Sequence, residues 1–119
     1  MKIQQSAENY LETIYMLTNR NGSCRSVDIA NELGFSKPSV SIAMKNLREN
    51  GYIDVMGDGK ILLLEPGRKI AENLYERHTV LTKAITLLGV DKDIAAEDAC
   101  KIEHIISQET FEAIKNYIK

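Results

Sequence analysis

A mostly α-helical fold, broken once by a β-hairpin, is what the sequence predicts, on three observations. Apolar residues recur at helical spacing through most of the 119 residues. Serines and aspartates stand where helices would start, and glycines where they would stop. Only after Gly51 does the pattern change, to two short apolar runs around Gly57-Asp58-Gly59-Lys60.

Taken in order, the first helix is expected over residues 7 to 20, with Ser6 as its cap and Asn21-Gly22 as its end. Leu11, Ile14, Tyr15, Met16 and Leu17 form its apolar side. The second runs from Ser26 as cap through Val27, Ile29, Ala30 and Leu33 to Gly34. A third starts at Ser36, carries Pro38 in its first turn, where the missing N–H costs nothing, and continues through Val40, Ala43, Met44 and Leu47 to Gly51. Tyr52 to Met56 and Ile61 to Leu64 read as strands. Pro66 and Gly67 open the longest helix, which reaches about Leu88 before Gly89. Its stripe of Ile70, Leu74, Leu81, Ile85 and Leu88 includes His78. Asp91 and Asp93 can cap a helix from Ile94 to Ile106, and Ser107 a last one ending with the chain.

Composition narrows the function. With 44% hydrophobic residues, the chain suits one compact domain or two small units sharing a helix, gaining stability by self-association. The net charge of -2 gives no support to indiscriminate nucleic-acid binding. Residues 1 to 60 balance seven basic against seven acidic side chains, and 61 to 119 hold eight against ten, so any DNA contact must come from a local patch. Cys24 and Cys100 have no disulfide-framework spacing, and no signal peptide or long apolar run opens the chain. A cytoplasmic protein without a membrane partner is expected. There is no phosphate loop, nucleophile elbow or metal-hydrolase signature, so an enzyme is not expected.

Helix, short turn, helix and two-stranded hairpin is the order of a winged helix-turn-helix. The helix from Ser36 to Asn50 would enter the major groove, with the hairpin tip on adjacent backbone. Ser36, Lys37, Pro38, Ser39, Ser41 and Ile42 lie in its N-terminal half, where hydroxyls can bond phosphate or bases and Ile42 can meet a thymine methyl. Lys45, Arg48 and Lys60, with Arg25, would supply the positive patch. The alternative is a small α+β core with a solvated charged face.

Cys100, Glu103 and His104 are spaced i, i+3 and i+4 on the expected fifth helix, beside a core face of Ala95, Ala99, Ile102 and Ile106. A thiol, a carboxylate and an imidazole from one side of one rod are a metal-ligand set. Asn9, Glu12 and His78 are further candidates on separate helices. Each residue alone reads more simply as a surface or core side chain.

Several stretches together resemble the diphtheria-toxin-repressor family of metal-dependent transcriptional repressors. They are Glu8 to Tyr15, Ser36 to Ser41, Leu64 to Arg68, Arg77-His78, and Asp98 to His104, in order along the chain. The resemblance implies a homodimer in which residues 1 to 65 form a winged helix-turn-helix reading double-stranded operator DNA. Residues 66 to 119 would form a helical metal-binding and dimerisation domain. It implies repression of metal-uptake genes when the protein is loaded with metal, and it places the ligands on Asn9, Glu12, His78, Cys100, Glu103 and His104. In the family the first and fourth ligands are both acidic in the manganese-sensing branch and Met and Cys in the iron-sensing branch. Cys100 matches the iron branch and Asn9 neither. The ancillary site of the iron branch falls on Thr82 and Ala96, which are poor ligands. With the sequence ending at Lys119, the SH3-like domain of longer members is not expected, and Ile42 replaces a polar residue that the family often uses for base contact. A soft thiolate favours Fe(II) first and Mn(II) second, with Zn(II), Co(II) and Ni(II) able to substitute in vitro. The alternative is a metal-independent winged-helix regulator whose metal site has degenerated.

Overall fold

The computed structural model describes residues 4–119, among which lie six helices and one two-stranded sheet. Their order is α1 (Gln5–Asn21), α2 (Ser26–Leu33), α3 (Lys37–Glu49), β1 (Ile53–Val55), β2 (Ile61–Leu63), α4 (Glu65–Leu87), α5 (Lys92–Ile102) and α6 (Gln108–Tyr117). The chain divides into two compact units, Met1–Glu72 and Asn73–Lys119, with α4 beginning in the first and ending in the second. The sequence places a boundary before Pro66. The contact boundary falls later because Ala71, from the second turn of α4, is fully buried in the core of the first unit.

That core is built by helix faces closing on a hairpin. Leu11, Ile14 and Leu17 of α1 meet Ile29 and Ala30 of α2, and Val40, Met44 and Leu47 of α3 meet Ile53 and Ile61 of the strands. The strands are antiparallel, pairing Ile53 with Leu63, Asp54 with Leu62 and Val55 with Ile61. With a side-chain period of two, Ile53 and Ile61 point inward while Asp54 and Leu62 point out. Gly59, at φ 90°, supplies the left-handed turn residue that a side chain would resist, and the Ile61 N–H donates to the Cys24 carbonyl at 2.8 Å. Gly67 is held to glycine by space rather than conformation. A Cβ there would collide with the Tyr52 carbonyl oxygen and stand 3.3 Å from Leu11 Cδ2.

Several helix ends differ from expectation for local reasons. α1 starts at Gln5 with Gln4 extended before it, and the Glu8 N–H already bonds the Gln4 carbonyl at 3.0 Å. Ser6 is therefore inside the first turn and not a cap. α2 includes Ser26, because the Asp28 carboxylate accepts the Arg25 N–H at 2.9 Å and moves the cap position back to Arg25. Ser36 does cap α3, accepting the Ser39 N–H at 3.3 Å. α4 stops at Leu87, which leaves Leu88 83% exposed and outside the stripe.

In the second unit Leu74, Leu81, Ala95, Ala99 and Phe111 are buried. Asp91 caps α5, accepting the Asp93 N–H at 3.1 Å, and so starts the helix at Lys92 rather than Ile94. The helix also ends early, at Ile102. Glu103 is its C-cap, and His104 lies in the turn beyond, not on the rod the spacing implied. The physical reason is a tertiary donor. Arg77 of α4 donates to the carbonyls of Glu103 and Ile106, at 3.0 and 2.7 Å, and so holds the chain in a turn past the end of the helix.

Candidate functional site

The first unit presents α3 with one side in the core and the other in solvent. Lys37, Pro38, Ser39, Ser41, Lys45 and Arg48 are exposed, and Ile42 is 63% exposed. The Ser36 hydroxyl donates to Ser39 Oγ at 2.8 Å while it caps the helix, so these two hydroxyls are partly spent on the helix start. Ser41, Lys45 and Arg48 line a shallow depression with Ser26 and Val55. Met44 and Glu49 complete its lining, so the two cations there stand beside a carboxylate.

At the hairpin tip the structure adds a residue that the sequence reading left unassigned. Asp58 stands 3.7 Å from Lys60 Nζ and 3.9 Å from Arg25 Nη2, and its carbonyl accepts from Arg25 Nε at 3.2 Å. Its carboxyl is held below the usual carboxylate range by the Lys60 backbone N–H, with the Lys60 and Arg25 cations adding to that. Two of the expected phosphate-binding cations are therefore gathered around one carboxylate. The sequence signal was present in Gly57-Asp58-Gly59-Lys60, where an Asx turn is common.

The candidate metal ligands divide between the units. Asn9 and Glu12 lie one helical turn apart on α1, and Glu12 is buried at 6% exposure. The Asn9 carbonyl accepts from Thr13 Oγ1 at 2.8 Å. In the second unit, Cys100 is exposed on the last turn of α5, His104 is half-buried, and His78 and Glu103 meet directly. His78 Nδ1 lies 2.9 Å from Glu103 Oε1, with the histidine side chain 27% exposed and the glutamate fully buried. In the metal-free chain Nδ1–H donates to the carboxylate; with the proton on Nε2 instead, the Nδ1 lone pair would face the same space as the carboxylate. Glu103 Oε2 is buried without a hydrogen-bond partner. A buried carboxylate with one orphaned oxygen asks for a cation, and an imidazole nitrogen 2.9 Å from its other oxygen is a donor that the same divalent metal would share. The residues fit a metal.

The ancillary positions do not. Thr82 offers only a neutral hydroxyl, itself buried without a hydrogen-bond partner, and Ala96 no donor at all. Cys24 is also outside the chemistry. It is fully buried, and desolvation, then the Asp28 charge, pushes its thiol up to about 11. It is a core side chain and not a nucleophile or ligand.

Two family descriptions match nearly the whole chain: the N-terminal DNA-binding domain of iron-dependent repressors over residues 2–61, and their metal-binding and dimerisation domain over residues 64–119. The transcriptional regulator MntR of Escherichia coli O6:H1 is 35% identical over 108 residues, covering 91% of this chain and 70% of its own length. An HTH-type transcriptional regulator of Methanocaldococcus jannaschii is 31% identical over 119 residues, covering 98% and 95%. Among solved structures, the manganese regulator SloR superposes with a TM-score of 0.80 at 26% identity. That match covers 99% of this chain, which spans 54% of SloR. Among the described residues, no helix is long and apolar enough to cross a membrane.

Proposed function

We propose a function from one premise: the chain belongs to the iron-dependent repressor family. It acts as a metal-activated transcriptional repressor in the cytoplasm, binding operator DNA as a homodimer and controlling metal uptake. Residues 1 to 65 read DNA, and residues 66 to 119 hold the dimer and four of the six metal ligands. The observation that carries the metal half of this reading is Glu103, a fully buried carboxylate with one oxygen on His78 and the other without a partner.

Asn9, Glu12, His78, Cys100, Glu103 and His104 would hold the ion. When bound, the metal supplies a fixed link between ligand-bearing segments. Asn9 and Glu12 belong to the helix that carries the DNA-binding unit, and the other four to the dimerisation unit. Ligands drawn from both would hold the two recognition helices of a dimer near one DNA turn apart, about 34 Å. Thiolate and imidazole bind metal only when deprotonated, so affinity falls with pH. The soft Cys100 thiolate supports Fe(II) as the physiological ion, and the likeness to a manganese regulator makes Mn(II) its rival.

On the DNA side, Lys37, Pro38, Ser41 and Ile42 lead α3 into the groove with Ser36 and Ser39 at its start, and Lys45, Arg48, Arg25 and Lys60 take phosphates. Fluorescence anisotropy on a duplex from upstream of its own gene tests this reading. Binding should be tight with Fe(II) or Mn(II) and weak in chelator, and equal binding in the two conditions would refute it.

A further inference from the structure

α5 ends at Ile102, with Glu103 as its C-cap and His104 in the turn beyond, so the helix alone does not hold the stretch that carries them. The Glu103 N–H still bonds the Ala99 carbonyl at 2.9 Å, and the next turn tightens onto one acceptor, with Ile105 and Ile106 both donating to the Ile102 carbonyl at 3.0 Å. The carbonyls of Glu103 and Ile106 are left over, and in a short turn such groups need an outside donor.

Arg77 is that donor. Its Nη1 donates to both carbonyls, at 3.0 and 2.7 Å, and its Nη2 to Gln108 Oε1 at the start of α6, at 2.9 Å. The guanidinium carbon sits 5.5 Å from the centroid of the Phe111 ring, itself fully buried. The next residue on α4, His78, takes the Glu103 carboxylate. Two successive side chains of one helix therefore grip the same residue, Arg77 by its backbone and His78 by its side chain.

We propose that Arg77 is the positioning residue of the metal site, clamping the Glu103–Ile106 turn so that Glu103 and His104 are set for the ion before it arrives. This rests on the reading of those two residues as ligands. A planar fork bonding two carbonyls and an amide at fixed angles cannot be copied by the single nitrogen of lysine. Groups that orient ligands from outside the coordination sphere typically contribute roughly 10- to 100-fold in metal affinity.

The test compares the intact protein with Arg77→Lys, Gln108→Ala and Leu81→Ala. Mn(II) affinity is measured by titration, Co(II) coordination by visible absorption, and metal-free stability by melting in chelator. Leu81→Ala shortens a buried core side chain of the second unit and leaves the guanidinium, its hydrogen bonds and the Phe111 ring in place, so it reports the effect of instability alone. Arg77→Lys should lose roughly 10- to 100-fold in Mn(II) affinity. Its Co(II) spectrum should also change, while Leu81→Ala melts lower and keeps both affinity and spectrum. Gln108→Ala, which removes only the outer anchor, should move affinity and spectrum the same way by a smaller factor and covers the case in which Arg77→Lys fails to fold. An Arg77→Lys protein with unchanged affinity and spectrum would overturn the clamp, as would a Leu81→Ala protein that loses as much affinity. If the unsubstituted protein binds neither Mn(II) nor Co(II), the metal-site reading fails first and the clamp with it.

Discussion

Glu103→Gln should leave the stability of the metal-free protein nearly unchanged and make the metal-loaded protein much less stable. The carboxylate is fully buried, with Oε1 bonded to His78 at 2.9 Å and Oε2 bonded to nothing. Leaving a buried charged acceptor unmet costs about 1–3 kcal/mol or more. Gln keeps the size and one bond to His78 and replaces the unmet charged oxygen with an unmet neutral amide, the cheaper of the two. Against that, a charge-assisted bond becomes a neutral one, a loss of about 1 kcal/mol. The two effects offset, so Glu103→Gln should lie within about 1 kcal/mol of the unsubstituted protein in chelator. With Mn(II) at 100 times its Kd, the unsubstituted protein gains about 2.7 kcal/mol and a variant that cannot bind gains nothing. A gap in stability therefore opens on adding metal. Urea denaturation at one protein concentration, in chelator and in Mn(II), reads both halves. A Glu103→Gln protein less stable than the unsubstituted one by more than about 1 kcal/mol in chelator would refute the reasoning, because the carboxylate would then be a satisfied structural group.

Gly67→Ala should destabilise although Ala is the better helix former. The propensity gain of about 1 kcal/mol is outweighed by overpacking of about 1–3 kcal/mol against the Tyr52 carbonyl, a backbone atom that cannot rotate away, and the urea midpoint should fall. Asp58→Asn keeps the bond from the Lys60 N–H and releases Arg25 and Lys60, so operator binding should tighten and the slope of log K against log salt should steepen by about one unit. Unchanged salt dependence would show that these cations do not meet phosphate. Cys24 has a folded pKa raised from 9.0 to about 11, so its contribution to stability is complete below pH 9 and is lost as pH rises through 11. The contribution is about 3 kcal/mol, and Cys24→Ala should flatten the fall in stability between pH 9 and 11.

The DNA-binding unit was legible because its signals are local. Ser36 caps α3 as its sequence implies, Val40, Met44 and Leu47 face inward at helical spacing, and the two glycines of the tip mark the hairpin between β1 and β2. Helix starts were less legible where a carboxylate inside the first turn moves the cap back by a residue, as Asp28, three residues after Arg25, moves it from Ser26 to Arg25. The candidate metal ligands stand out in the sequence by type, while their local geometry does not. Cys100, Glu103 and His104 fall at helical spacing, yet the helix ends at Ile102 because Arg77, 26 residues before Glu103, takes the carbonyls beyond it. A spacing rule cannot see a donor that arrives from another helix. The ion cluster at Asp58 escaped for the same reason, since Arg25 reaches it across 33 residues.

The central claim is that metal and DNA bind the same arrangement of the chain, and reciprocity tests it most directly. Mn(II) or Fe(II) titrated into the protein with and without the duplex from upstream of its own gene should give two isotherms. The one with DNA should be tighter by a factor equal to that by which metal tightens DNA binding, typically about 1–3 kcal/mol per site. Superimposable isotherms, with both ligands bound, would contradict it.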